Sequence, residues 1–160
     1  MLRFSVYDQD GPAREWSLHH ACLVDQDDRV IPGTIRFRDG CIECSVSSQR
    51  AIGLRLLYDT GKMGSLAIQT CLLPHRDRPY QLSVELARHR IATFLVKSEE
   101  WQMLDLSMEH PAMRQWEEAR QALTKALVAR DPAVAEEHAR HALTLGIEAS
   151  ERLALAHAEI

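Results

Sequence analysis

Glycine and alanine divide this chain between them. Six of its seven glycines lie at or before Gly64, and only Gly146 follows. Alanine shows the opposite trend and is concentrated after Ala112. Glycine frees the backbone for turns, whereas alanine has the highest helix propensity of any residue. A β region followed by an α region is the simplest fold for such a chain. The change falls at the charged turn His75-Arg76-Asp77-Arg78, between Pro74 and Pro79. We therefore expect an α+β fold. Residues 1–74 form an antiparallel β domain, a small sandwich or open barrel of about six strands, and residues 75–160 form three α-helices packed on it as one unit.

The turns set the expected strands. Asp39-Gly40 is a two-residue hairpin signal between Thr34–Arg38, which alternates out and in, and Cys41–Val46. Ser17–Val24 closes on the acidic turn Asp25–Asp28, and Val30–Arg38 follows it. Ala51–Tyr58 and Ser65–Leu73 flank the turn Asp59–Gly64, and Leu2–Tyr7 stands in front. Sequential hairpins of this kind favour an antiparallel meander.

Three prolines mark helix starts at Pro79, Pro111 and Pro132, because the first helical turn needs no proline N–H. Asp131 before Pro132 is a good N-cap. Apolar residues recur at helical spacing as Val84, Ala87, Ile91, Phe94 and Leu95 in the first helix. The second carries Met113, Trp116, Ala119, Leu123, Ala126 and Leu127, and the third Ala135, Ala139, Ala142, Leu143, Gly146, Ala149, Leu153 and Ala154. The third pattern meets no stop signal before Ile160. Either the chain is cut from a longer protein, or Leu153, Leu155 and Ile160 form an interface with a partner or a second copy; fraying is the plain alternative.

Charge and hydropathy narrow the function classes. A net charge of -4 argues against a nucleic-acid partner. No segment is apolar for the roughly 20 residues that cross a bilayer. Asp8 comes too early for a signal peptide's apolar core, so a cytoplasmic address is expected, with Cys22, Cys41, Cys44 and Cys71 reduced.

Reactive constellations are sparse. There is no nucleophile elbow and no P-loop, so no catalytic residue is assigned. Cys41 and Cys44 have the spacing of half a zinc knuckle. On a strand, however, residues three apart face opposite ways, and small apolar side chains in a sheet core explain the pair. Glu137, His138 and His141 share one helical face, as metal ligands or as a solvated polar surface, with no second Glu-x-x-His to complete a di-iron bundle. Expected cofactors and metals are none. His19-His20 in a strand would aim its rings apart. Glu85 and His89, with Arg88 and Arg90 beside them, read as a salt-bridged helix surface. Trp16 and Tyr58 sit at strand edges, either as stacking platforms for a sugar or as rim packing, and Trp101 and Trp116 read as packing between helix and sheet.

Several segments together resemble a known family: Gln69–Tyr80, Leu82–Ile91 and Phe94–Lys97, with Ala21–Val24, the Ile35–Gly40 hairpin and Glu148–Glu159. They resemble the region that precedes the catalytic barrel in a planctomycete-type group of family 10 glycoside hydrolases, the endo-1,4-β-xylanases. The barrel that would supply that family's acid/base and nucleophile glutamates lies outside this sequence, so no catalytic position carries over. The resemblance implies a non-catalytic accessory domain of a xylanase-like enzyme, serving interdomain packing against a barrel, oligomerisation or weak polysaccharide binding. The residues also allow a stand-alone protein–protein interaction module built on the last two helices, or a metal-dependent enzyme using Glu137, His138 and His141.

Overall fold

A computed structural model describes residues Met1–Ile160. The fold is α+β, with ten short strands and three helices. The chain divides into two compact units, Met1–Leu86 and Ala87–Ile160, and the division falls inside helix α1 (Leu82–Glu100).

The first unit contains two open four-stranded sheets and a short ribbon. One sheet consists of β1 (Leu2–Ser5), β6 (Thr34–Arg38), β7 (Cys41–Ser45) and β10 (Tyr80–Gln81), in the order β10-β1-β7-β6. The other consists of β4 (Cys22–Val24), β5 (Val30–Ile31), β8 (Gly53–Asp59) and β9 (Ser65–Gln69), in the order β5-β4-β8-β9. The ribbon pairs β2 (Tyr7–Asp8) with β3 (Gly11–Pro12). Neither sheet closes into a barrel.

The local hairpins form where turn chemistry demands them. Asp39 and Gly40 both adopt positive φ, 49° and 75°, as the tight turn between β6 and β7 requires. The β8–β9 turn is closed by Thr60, whose Oγ1 donates to the Gly64 carbonyl at 2.6 Å, and by Asp59, whose Oδ1 accepts the Gly61 N–H at 2.8 Å.

The overall pairing is not the expected meander. β1 lies between β7, antiparallel, and β10, parallel. The parallel partner begins at Tyr80, so Pro79 leads into a strand and α1 starts only at Leu82. The expected strand from Ser17 to Val24 shrinks to Cys22–Val24, because His20 takes φ +55 and turns the chain. His19 and His20 are therefore exposed turn residues with rings 6.1 Å apart, and not strand neighbours.

Each sheet buries one face. Leu2, Phe4, Ile42 and Cys44 are fully buried in the first, and Leu54 and Leu56 in the second. Gly33, between β5 and β6, sits where a Cβ would come within 2.6 Å of the Ser45 carbonyl oxygen and 2.7 Å of Leu23 Cδ1. Backbone and packed side chain leave no room there, so glycine is required by close approach.

In the second unit α2 (Pro111–Val128) and α3 (Pro132–Ala158) pack along one another. Both start as the prolines predict. Asp131 Oδ1 accepts the Ala133 N–H at 2.9 Å, and the imidazole Nδ1 of His110 caps α2 by accepting from Ala112 at 3.1 Å. Ala112, Ala119, Ala122 and Ala126 meet Ala135, Ala139, Ala142 and Ala149 in the interior, so small side chains let the backbones approach. Gly146 of α3 continues this closeness: a Cβ there would stand 3.2 Å from Arg90 Cγ of α1. Burial lowers the pKa of the Arg90 guanidinium, partly offset by Glu151.

One end of this unit is held by aromatic packing. Phe94 stacks on Trp116 with ring centres 5.6 Å apart, and the Trp116 indole donates to the Ile91 carbonyl at 3.1 Å. Trp101 stacks on His157 at 4.8 Å. Both tryptophans therefore pack against helix partners, Trp116 on Phe94 and Trp101 on His157. Leu153 lies at the centre of this cluster with Phe94, Met103, Ala112 and Ala149.

Two substitutions test this packing. Gly33→Ala should destabilise the chain by about 1–3 kcal/mol through overpacking, read from chemical denaturation. Leu153→Ala should cost about 2–5 kcal/mol, against less than about 0.5 kcal/mol for Leu155→Ala, whose side chain is exposed. Equal effects at 153 and 155 would contradict the packing described.

Candidate functional site

The segment between the ribbon and β4 carries Trp16 across one end of the second sheet. It is tied there by a hydrogen bond from the Leu57 N–H to the His19 carbonyl at 3.2 Å. Strand alternation then decides what faces out. Tyr58 turns inward and is 3% exposed, while its neighbours Leu57 and Asp59 project to the opposite side. Asp59 is directly opposite Ser65 in the register of β8 and β9. Leu57, Asp59 and Ser65 from β8 and β9, with Glu15, Trp16, Ser17 and His19 from the crossing segment, line a groove of about 380 Å³.

Trp16 is half-buried, with its ring centre 6.0 Å from that of Tyr58 and the planes tilted by 43°. Of the expected sugar platforms, one is thus available to a ligand. Tyr58 is a core residue that supports Trp16 and presents no open face. The groove also brings in two carboxylates, Glu15 and Asp59, which sequence patterning does not single out. They are separated by more than forty positions, and only the β8 register and the 16–19 crossing unite them.

A larger concavity of about 590 Å³ opens elsewhere in the first unit. Ile31, Pro32, Val46, Ile52 and Leu72 give it an apolar floor, and Asp25, Asp27 and Arg50 stand around it. It contains no aromatic side chain and none of the residues singled out from the sequence. Size alone does not make it the better candidate; the smaller groove has the aromatic surface and the convergent polar groups.

The other singled-out residues fall as follows. Cys41 and Cys44 project to opposite faces of β7, and all four cysteines are free thiols. Burial raises the Cys41 thiol, opposed by the Arg3 guanidinium and assisted by Glu43 and Asp39. Burial alone pushes Cys44 up to about 12. No group of three or more His, Cys, Asp or Glu side chains is placed to hold a metal ion, and Glu137 and His141 are exposed on α3. Glu85 is 5% exposed, so the expected salt-bridged surface of α1 is not a surface at that position. At the end of α3, Leu153 is buried, whereas Leu155 and Ile160 are 66% and 92% exposed. No helix is long and apolar enough to cross a membrane.

No protein-family model, curated protein or solved structure matches this chain.

The thiol environments give a direct test. A raised pKa leaves less thiolate at any given pH, and thiolate is the species that alkylates. In mildly alkaline buffer, Cys44 should react on the order of a thousandfold more slowly than an ordinary thiol, and only after unfolding at a normal rate. Mass spectrometry of the modified peptides reads this; early labelling of Cys44 in the folded chain would contradict its placement.

Proposed function

We propose that this chain is a non-catalytic accessory domain that holds a saccharide at the Trp16 groove, as part of a polysaccharide-degrading enzyme of the kind its segments resemble. The observation that carries the reading is the half-buried Trp16 face. It is braced from behind by Tyr58 and flanked by carboxylates and hydroxyls in one groove. An aromatic ring offers a sugar an apolar plane, and side-chain oxygens around it can accept from sugar hydroxyls. Nothing in the groove pairs a nucleophile with a base. Ser17 Oγ accepts the His19 backbone N–H at 3.4 Å, a local turn contact that does not activate the hydroxyl.

A second reading has its own support. Leu127, Val128 and Val134 are exposed around the turn that joins α2 and α3. With Leu155 and Ile160 they give the helical hairpin apolar points suited to a protein partner or to self-association.

Calorimetry with xylo-, cello- and glucosamine oligosaccharides, together with nuclear magnetic resonance of the Trp16 indole N–H, separates the two. On the first reading, at least one oligosaccharide binds and shifts that resonance, and Trp16→Ala weakens binding by about tenfold or more. If no saccharide moves Trp16, and light scattering reports a dimer that Val128→Lys dissociates, the second reading replaces the first.

A further inference from the structure

The charge around Trp16 points to a ligand class more specific than a neutral sugar, an inference that rests on the saccharide reading above. The groove is lined by Glu15 and Asp59 and by no lysine or arginine. Asp59 is oriented, because one of its oxygens is occupied by the Gly61 N–H and the carboxylate cannot swing freely away from the β8 end. Lys62 lies in the same turn, but it does not line the groove. Arg14 precedes Glu15 in sequence and is likewise absent from the lining.

From this we infer that the Trp16 groove is selective for saccharides bearing a free amine, such as glucosamine oligomers, over neutral pentose or hexose chains and over uronates. Two carboxylates, one from each of the two segments that line the groove, supply charge-assisted acceptors for an ammonium group. The indole face adds a cation–π attraction that a neutral hydroxyl cannot use. A uronate carboxylate in the same place meets like charge. An N-acetylated amine keeps the size of the sugar's substituent and loses the positive charge, so it serves as the control that separates charge from shape.

The test is calorimetry on the full chain at neutral pH and low salt, with the Trp16 indole resonance followed in parallel. The probes are oligomers of glucosamine, N-acetylglucosamine and xylose of equal length. Glucosamine oligomers should bind about tenfold more tightly than the other two, and the advantage should shrink as salt is added. The double variant Glu15→Gln, Asp59→Asn should erase the advantage, bringing glucosamine oligomers to the affinity that the N-acetylglucosamine and xylose oligomers show for the same variant. Because Glu15→Gln alone removes one charge without touching the Asp59–Gly61 hydrogen bond, it should give an intermediate loss even if the Asp59 turn loosens.

Three outcomes overturn the inference. Xylose oligomers binding as tightly as glucosamine oligomers, with no effect of the double variant, would leave the saccharide reading intact and remove its charge selectivity. Failure of every oligosaccharide to move Trp16 would remove both. Oligolysine competing with glucosamine oligomers at equal affinity would reassign the groove to basic peptides.

Discussion

The pairing of β1 with strands drawn from far along the chain organises the first unit. Leu2–Ser5 is only four residues long, yet it is hydrogen-bonded on both sides, to β7 and to β10. Phe4 is fully buried and lies 6.1 Å from Tyr80 between ring centres, and Ser5 Oγ donates to the Tyr80 carbonyl at 3.2 Å. Arg76 rests its guanidinium 3.4 Å from the centre of the Tyr80 ring, and the Tyr80 hydroxyl donates to the Pro74 carbonyl. The contacts around Tyr80 convert a polar, proline-bounded loop into a strand. Because β10 runs directly into α1, they also fix where that helix begins. Two residues of β10 could not hold this register by backbone bonds alone. The aromatic ring and its partners supply what the short ladder lacks.

This dependence explains what could be read from the sequence and what could not. The Asp39-Gly40 hairpin was legible because its turn demands positive φ at both positions, and these residue types supply it at low cost. Helices α2 and α3 were legible because Pro111, Pro132 and Asp131 mark their starts and an apolar stripe persists through each. The parallel β1–β10 pair was not legible. It joins segments about 75 residues apart, and no local pattern announces a two-residue strand. Pro79 looked like a helix start because proline suits a strand entry as well as a first helical turn.

The site follows the same rule. Trp16 stood out as an aromatic at a strand edge. Tyr58 stood out for the same reason, but it belongs to the inward set of β8, where a one-residue difference in phase separates core from surface. Glu15 and Asp59 carried no signal at all, since isolated acids near turns are ordinary. Their joint meaning arises only when the 16–19 segment crosses the end of β8 and brings them onto one groove. Leu153 lies on the apolar stripe of α3 and Leu155 does not, although both were grouped with Ile160 as an expected interface. Two residues advance a helix by about 200°, so one enters the Phe94 cluster and the other faces solvent.

The perturbed titratable groups and the convergent polar groups lie in different places in this chain. Bond-making sites need titratable groups that are both perturbed and convergent. Here Cys44 is clearly perturbed, and in the direction that opposes reactivity, since burial suppresses the thiolate. The lowered pKa of Glu117 comes mainly from its hydrogen bonds to Arg120, an ion pair three residues apart on α2. The convergent polar groups, by contrast, surround an aromatic plane at the end of a rigid sheet. There the backbone is held by the β8–β9 ladder, and Trp16 is backed by a buried tyrosine. A surface fixed before its ligand arrives loses little further entropy on association, which is the advantage a small groove needs when the contact area is modest.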